Sequence, residues 1–156
     1  MELVVKLKKN FKALSNVDLE RLLVRLPGFR GVFMRDTLPP KPNLKEAGVL
    51  NFDVDSGPGT HWVCWFKDGD RKFYFDSYGA DPPVELREYL GSNILVSTSK
   101  LQRYGTNYCG QLCVYVLKRL DSGFPIQKIL MNIRDNKWNT RLQAQKSPRV
   151  VSSTTR

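Results

Sequence analysis

Apolar residues recur at helical spacing near the start of the chain. Four leucines fall at positions i, i+3, i+4 and i+7, which predicts a helix over residues 15–26 with one apolar face: Leu19, Leu22, Leu23 and Leu26. Ser15 is followed three residues later by Asp18, a capping box with the shorter acid. Pro27-Gly28 is typical of a helix end.

A second and stronger helical stripe lies in the last third of the chain. Its apolar positions run over three turns: Cys109, Leu112, Cys113, Val116, Leu117 and Leu120. They predict a buried helix that begins at or just after Cys109. Shorter helices are predicted over residues 82–91 and from Pro125 to about Arg134.

Between these helices the pattern is that of strands. Runs rich in β-branched and aromatic residues predict strands over residues 31–34, 48–53, 61–66, 71–76 and 93–96. Asp68-Gly69 between two aromatic runs predicts a hairpin. Residues 56–60 are turn formers, which would leave His61 at the mouth of its strand. Helices and strands together predict an α+β fold.

Length and composition indicate one globular domain. The chain has 156 residues, 41% of them hydrophobic and 26% charged. We predict a domain over residues 1–140 and a flexible basic tail over 141–156, where apolar periodicity is lost. No apolar run approaches the ~20 residues of a membrane span. The first residues lack a secretory pattern, so we expect an intracellular protein that does not enter membranes.

The net charge of +10 favours polyanionic partners such as nucleic acid. The basic residues are spread along the chain, and no aromatic RNA-binding motif or zinc finger accompanies them. Nucleic acid is therefore a plausible partner and a weak candidate for the main function.

Three cysteines and one histidine limit the chemistry. An odd number of cysteines argues against a disulfide framework, and a single histidine makes a structural zinc site improbable. Either one thiol is reactive, or all three are small buried hydrophobes.

Cys109 has the most favourable predicted position for a reactive thiol. The free N–H groups and the positive dipole end of a helix N-terminus stabilise a thiolate and can bind an oxyanion. Gly110 would let a substrate carbonyl approach the backbone. His61 is the only histidine and hence the only candidate imidazole base. Asp76, which closes the neighbouring strand, could orient His61 or could simply form a turn.

In order, these residues resemble a known family. His61-Trp62, then Asp76-Ser77-Tyr78-Gly79, then Gln102 seven residues before Cys109-Gly110 are similar to the adenovirus protease (adenain) and its relatives. That family shares a clan with the ubiquitin-like-specific proteases. The similarity covers roughly residues 14–138. The stretch GVFMRDTLP at 31–39 also resembles proteases predicted in virus-like DNA transposons.

The resemblance implies a papain-like core, in which a mixed β-sheet is packed by helices and the nucleophile starts a central buried helix. It implies Cys109 as nucleophile, His61 as base and Asp76 as orienting acid, although the adenovirus enzyme has Glu in that place. Gln102 and the Cys109 backbone N–H would form the oxyanion hole. Trp62 would pack at the site or serve as a core aromatic residue. No metal is implied.

The expected function is therefore a cysteine endopeptidase that matures viral or virus-like structural precursors. Two alternatives are a protease of ubiquitin-like modifiers and a catalytically inactive DNA- or capsid-binding protein. A third is a structural domain with buried thiols.

The sequence requires no cofactor, although the resemblance suggests DNA or an activating peptide. The cysteine that joins that peptide in the adenovirus enzyme would fall near Gly91, where this chain has none, so covalent activation is not expected. The expected partner is a polyprotein substrate, the favoured state is a monomer, and the resemblance implies the virion or the host nucleus.

Overall fold

A computed structural model of the protein describes residues 12–53, 61–102 and 106–138. The helices in these ranges are α1 (Asn16–Leu23), α2 (Val84–Leu90), α3 (Cys109–Asp121) and α4 (Ile126–Arg134). The strands are β1 (Phe29–Phe33), β2 (Lys45–Asn51), β3 (Trp62–Asp68), β4 (Arg71–Phe75) and β5 (Ile94–Val96). The predicted tail over 141–156 and the turn over 56–60 lie outside the described residues.

The strands form one mixed sheet in the order β1-β2-β3-β4-β5. β2, β3 and β4 pair antiparallel, whereas β1 and β5 each add a parallel edge. The predicted hairpin joins β3 to β4, with Asp68 opposite Arg71 and Gly69 at φ +62° in the loop. The predicted α+β class, with a mixed sheet packed by helices, is confirmed.

Alternate residues of the sheet serve two hydrophobic cores. Cys64 of β3 and Phe75 of β4 pack on one face with α1, α3 and α4. Val63 and Trp65 of β3 pack on the other face with Leu86 of α2. This period of two is what a strand buried on both faces requires. The sheet is therefore covered by helices on both sides, and α3 crosses it against β3.

Helix α1 begins where the sequence predicts and ends earlier. The Ser15 hydroxyl accepts from the Asp18 N–H at 3.1 Å and the Asp18 carboxylate accepts from the Ser15 N–H at 3.0 Å, which completes the capping box. Leu19 and Leu23 are fully buried, but Leu22 is 45% exposed. Leu26 lies beyond the last helical residue, Leu23, and packs partly buried against the same core. Within the helix the buried face is therefore the i, i+4 pair alone, which is narrower than the four-leucine pattern predicts.

On the α2 side of the sheet, the carboxylate of Glu46 is almost fully buried and has four donors. Its Oε1 accepts from Arg30 Nη1 at 2.8 Å and from the Asn43 N–H at 2.6 Å. Its Oε2 accepts from the Tyr89 hydroxyl at 2.7 Å and from the Trp65 indole N–H at 2.9 Å. We call these five residues the Glu46 cluster. The donors come from β1, β3, α2 and the loop before β2, so the cluster ties β1, β2, β3 and α2 together.

Gly48 is required by the same packing. A Cβ at this position would lie 2.3 Å from the ring of Trp65, its partner across the β2–β3 pair. The Trp65 ring therefore lies over the glycine backbone, where any larger residue would displace it. No helix in the described ranges is long and apolar enough to cross a bilayer.

Candidate active site

The β3–β4 pairing brings His61 and Asp76 together. His61 directly precedes β3, and Asp76 directly follows β4. Because the two strands run antiparallel, with Cys64 opposite Phe75, the start of one lies beside the end of the other. His61 Nε2 lies 2.6 Å from Asp76 Oδ1, and the Asp76 side chain is fully buried.

The Asp76 carboxylate is held by the turn that follows it. Oδ1 also accepts from the Tyr78 N–H at 2.9 Å, and Oδ2 accepts from the Ala80 N–H at 3.2 Å. The Gly79 N–H closes the turn on the Asp76 carbonyl at 2.8 Å. Asp76 is thus both a turn-forming residue and the partner of His61, two interpretations that the sequence left as alternatives.

Cys109 is the first residue of α3, as predicted, and is 9% exposed. Its thiol forms a hydrogen bond with His61 and meets the backbone N–H groups of Trp62 and Gly110. Since Nε2 of His61 faces Asp76, the ring presents Nδ1 to the sulfur. The structure therefore brings Cys109, His61 and Asp76 into one hydrogen-bonded chain.

The electrostatics of this chain favour a charged pair. Burial raises the pKa of the Cys109 thiol, but the hydrogen bond and charge of His61 and the N–H groups of Trp62 and Gly110 bring it below its ordinary value. Burial lowers the pKa of His61, but the hydrogen bonds with Asp76 and Cys109 outweigh this effect and raise it to about 9. Because the pKa of the thiol is lowered and that of the imidazole is raised, a proton shared by the pair resides on His61, which leaves a thiolate beside an imidazolium.

Two aromatic rings enclose His61. Tyr78 stacks on the imidazole with ring centroids 4.6 Å apart and planes 24° apart. Phe52 meets it edge-on at 5.4 Å. If the β3–β4 register is continued past the strand ends, Tyr78 falls opposite His61, which explains the stack. Both rings restrict rotation of the imidazole and limit the access of water to its contact with Asp76.

Gln102 is also buried close to this chain. Its side-chain Oε1 accepts from the Ser77 hydroxyl at 2.5 Å, and its Nε2 donates to the Thr106 carbonyl at 3.0 Å. Cys109, His61 and Gln102 all line one cavity of about 520 Å³. The other walls come from residues 13–16, from β1 and the residues after it, and from Asn51, Trp62, Tyr78, Thr106 and Asn107. An amide donor and a thiol thus share one solvent-accessible space.

Trp62 has both of the roles that the sequence left open. Its indole N–H donates to the Leu14 carbonyl at 2.9 Å, which packs the ring against the core, and the same ring lines the cavity.

Close packing also explains why residue 110 is a glycine, a reason that the sequence did not indicate. A Cβ at this position would lie 3.2 Å from Leu14 Cβ and 3.4 Å from the Trp62 ring, so α3 approaches both closely.

The other two cysteines lie in a different environment. All three thiols are free, and Cys64 and Cys113 are buried among the core residues. Burial and the neighbouring Cys64 thiol raise the pKa of Cys113 well above its ordinary value, so this thiol stays protonated. Across residues 12–53, 61–102 and 106–138, no three or more His, Cys, Asp or Glu side chains are grouped to hold a metal ion.

No model of a known protein family matches the chain, and no curated protein sequence matches it. Among solved structures, the crystal structure of the selenomethionine form of ASFV pS273R protease is similar to it with a TM-score of 0.45 and 21% sequence identity. The match covers 65% of this chain and 44% of that one, so the chain spans less than half of its length. A likeness this distant adds no weight to the family resemblance, which stays a prediction.

Several site residues escaped the sequence reasoning. Asn51 and residues 13–16 reach the cavity, and Phe52 reaches the His61 ring, through tertiary packing, and none of them belongs to a catalytic motif. Ser77 and Tyr78 directly follow Asp76 in the sequence, but no sequence pattern indicated a function for either of them. A continued antiparallel register from the predicted hairpin would have placed Tyr78 opposite His61.

Proposed function

We propose that this protein is a cysteine endopeptidase of the adenovirus-protease type. Cys109 is the nucleophile, His61 the proton carrier and Asp76 the acid that orients it. The observation that carries the proposal is the hydrogen-bonded chain from Cys109 through His61 to Asp76 at the wall of a cavity. Three residue types of a nucleophilic triad meet there, with the thiol at a helix N-terminus.

The reaction follows from these positions. The Cys109 thiolate attacks the scissile carbonyl carbon, and the oxyanion forms near the Cys109 N–H and the Gln102 amide. The carbon–nitrogen bond breaks as the His61 imidazolium gives its proton to the leaving amine. A water molecule then attacks the thioester while His61 takes its proton. The acid product leaves, and the thiolate–imidazolium pair is restored.

Two thiols one helical turn apart provide the test. Cys109→Ala should abolish cleavage of a peptide library, by roughly 10⁴-fold or more. Cys113→Ala should retain activity, since its thiol is protonated and enclosed in the core. At neutral pH, iodoacetamide should alkylate Cys109 ahead of Cys113, as mapped by mass spectrometry. Full activity of Cys109→Ala would refute the proposal, and loss of activity only in folded Cys113→Ala would show that the nucleophile is the other thiol.

The substrate is a further part of this proposal. By resemblance, it is a viral or virus-like structural precursor, cut next to small residues. Peptides with small residues at the scissile bond should be cleaved faster than diglycine-ended conjugates of ubiquitin-like modifiers. The reverse preference would assign the protein to the other branch of the clan.

The net charge of +10 favours one rival function, that of an inactive nucleic-acid-binding protein. Residues 139–156 carry four of the basic side chains and no acidic ones. Salt-dependent DNA binding by a protein whose Cys109 does not react with iodoacetamide would favour this rival. If Cys109 reacts, DNA binding becomes a property of the enzyme.

A further inference from the structure

Ser77 lies between Asp76 and Tyr78 in the sequence and is fully buried. Its hydroxyl donates to Gln102 Oε1 at 2.5 Å. Its carbonyl accepts from the Leu101 N–H at 2.7 Å and from the Gln102 N–H at 3.0 Å. One residue thus contacts both the backbone and the side chain of Gln102.

These contacts decide which way the Gln102 amide faces. The Thr106 carbonyl can only accept, so the atom 3.0 Å from it must be the amide nitrogen. The amide oxygen then faces Ser77, whose hydroxyl must donate. Reversing the amide would place an oxygen against the Thr106 carbonyl oxygen and an NH₂ group against Ser77. The Gln102 nitrogen keeps a second N–H for the cavity that this residue lines.

We propose that Ser77 is a positioning residue that fixes the Gln102 amide with its free N–H available to an oxyanion. The inference rests on the proposed function, because it assigns how one donor of that reaction is oriented. Asp76 and Ser77 are adjacent in one turn. The first holds the histidine, the second holds the oxyanion donor, and both halves of the site are thereby aligned by the same few residues.

Burial makes the Ser77 hydroxyl hard to replace as the partner of the Gln102 amide oxygen. Gln102 is 2% exposed, so water cannot readily replace the Ser77 hydroxyl as the partner of its oxygen. Without Ser77, the amide loses one of its two side-chain anchors and samples orientations that do not donate into the cavity. The effect should fall on the rate of acyl transfer and leave the thiolate–imidazolium pair intact.

A double-mutant cycle between Ser77 and Gln102 tests the inference. We expect Gln102→Ala to lower kcat by roughly 100-fold. Ser77→Ala should lower kcat by about tenfold with little change in KM. In the Gln102→Ala background, Ser77→Ala should cost nothing further, because its target is gone. The pH dependence of Cys109 alkylation should be the same in Ser77→Ala and wild type.

Ser97→Ala is the matched control. It removes another buried hydroxyl, 4% exposed, which accepts weakly from the Asp76 N–H at 3.4 Å and forms no hydrogen bond with Gln102 among the described residues. Whatever its size, the effect of Ser97→Ala on kcat should be the same in the wild-type and Gln102→Ala backgrounds. If Ser77→Ala fails to fold by thermal melting, Ser77→Cys, of similar volume with a weak donor, takes its place in the cycle.

A wild-type kcat in folded Ser77→Ala, or an equal loss in both backgrounds, would overturn the inference. The proposed function is judged separately in the same assay. If wild type is active and Cys109→Ala is not, only the role of Ser77 is at stake. If wild type cleaves no peptide and Cys109 is unreactive, both proposals fail.

Discussion

Asp76 and Glu46 are both buried carboxylates with several hydrogen-bond donors, yet their partners differ in kind. Glu46 faces Arg30, whose charge is permanent, together with a phenol, an indole and a backbone N–H. Asp76 faces His61, which can pass its proton to another atom and which contacts a thiol at a cavity. The first arrangement has no proton to move near neutral pH, whereas the second does.

This difference separates structural from chemical use of a buried charge. The Glu46 cluster joins three strands and a helix, so its loss should appear as lost stability. The Asp76–His61–Cys109 chain ends at a solvent-accessible space, so its loss should appear as lost reactivity. Replacing each carboxylate in turn tests whether Glu46 serves stability and Asp76 serves reactivity.

Among the changes that compare the two carboxylates, the largest effect is expected on cleavage when Asp76 loses its charge. Asp76→Asn should lower kcat/KM of peptide hydrolysis by about 100-fold or more, because the imidazolium loses its anionic partner. Glu46→Gln, the matched change in the other cluster, should leave kcat/KM near wild type in the folded protein. Equal losses of kcat/KM in both variants would contradict the assignment of a chemical role to Asp76 and a structural role to Glu46.

The next effect is on stability. Glu46→Ala should lower the free energy of unfolding by about 3 kcal/mol, since it leaves Arg30 and the hydroxyl of Tyr89 without their buried acceptor. Urea denaturation measures this change. Cys109→Ala should stay within about 1 kcal/mol of wild type. If Glu46→Ala unfolds at the same urea concentration as wild type, the cluster does not stabilise the fold.

The pH profile of cleavage should distinguish the two carboxylates more finely. The pKa of His61 is raised to about 9, and the pKa of Cys109 is lowered. Cleavage should therefore be supported at pH between these two pKa values and should fall as pH rises through about 9. Because the Asp76 hydrogen bond and charge help to raise the His61 pKa, Asp76→Asn should move this alkaline limb to lower pH. Glu46→Gln should not move it. An unshifted limb in Asp76→Asn would mean that Asp76 does not set the protonation of His61.

The smallest effect is expected at the aromatic stack. Tyr78→Leu should reduce kcat by a few fold, because the imidazole loses the ring that restricts its rotation. Tyr78→Phe keeps the ring and should stay within about twofold of wild type. Steady-state kinetics on one peptide are sufficient to measure both. Equal loss in the two variants would assign the effect to the hydroxyl group and not to stacking.

Local pattern predicted most of the fold. The helix beginning at Cys109, the hairpin at Asp68-Gly69 and the capping box at Ser15 all depend on residues close in sequence, and all appear where predicted. The exposure of Leu22 was missed, because periodicity shows which residues share a face but not how wide the contact is. The Glu46 cluster was also missed, because its donors come from residues 30, 43, 65 and 89.

The candidate site shows the same contrast between what local sequence pattern predicts and what contacts between distant residues decide. The sequence by itself determined which residues are available, since the chain has one histidine, a cysteine at the head of an apolar stripe, and an acid after the neighbouring strand. Tertiary structure alone decided their contacts. Strand register brings His61 within 2.6 Å of Asp76, and the packing of α3 on β3 brings Cys109 to His61. Side-chain chemistry is local, whereas distance and burial depend on the whole chain, so the pKa shifts that make the thiol reactive exist only in the folded protein.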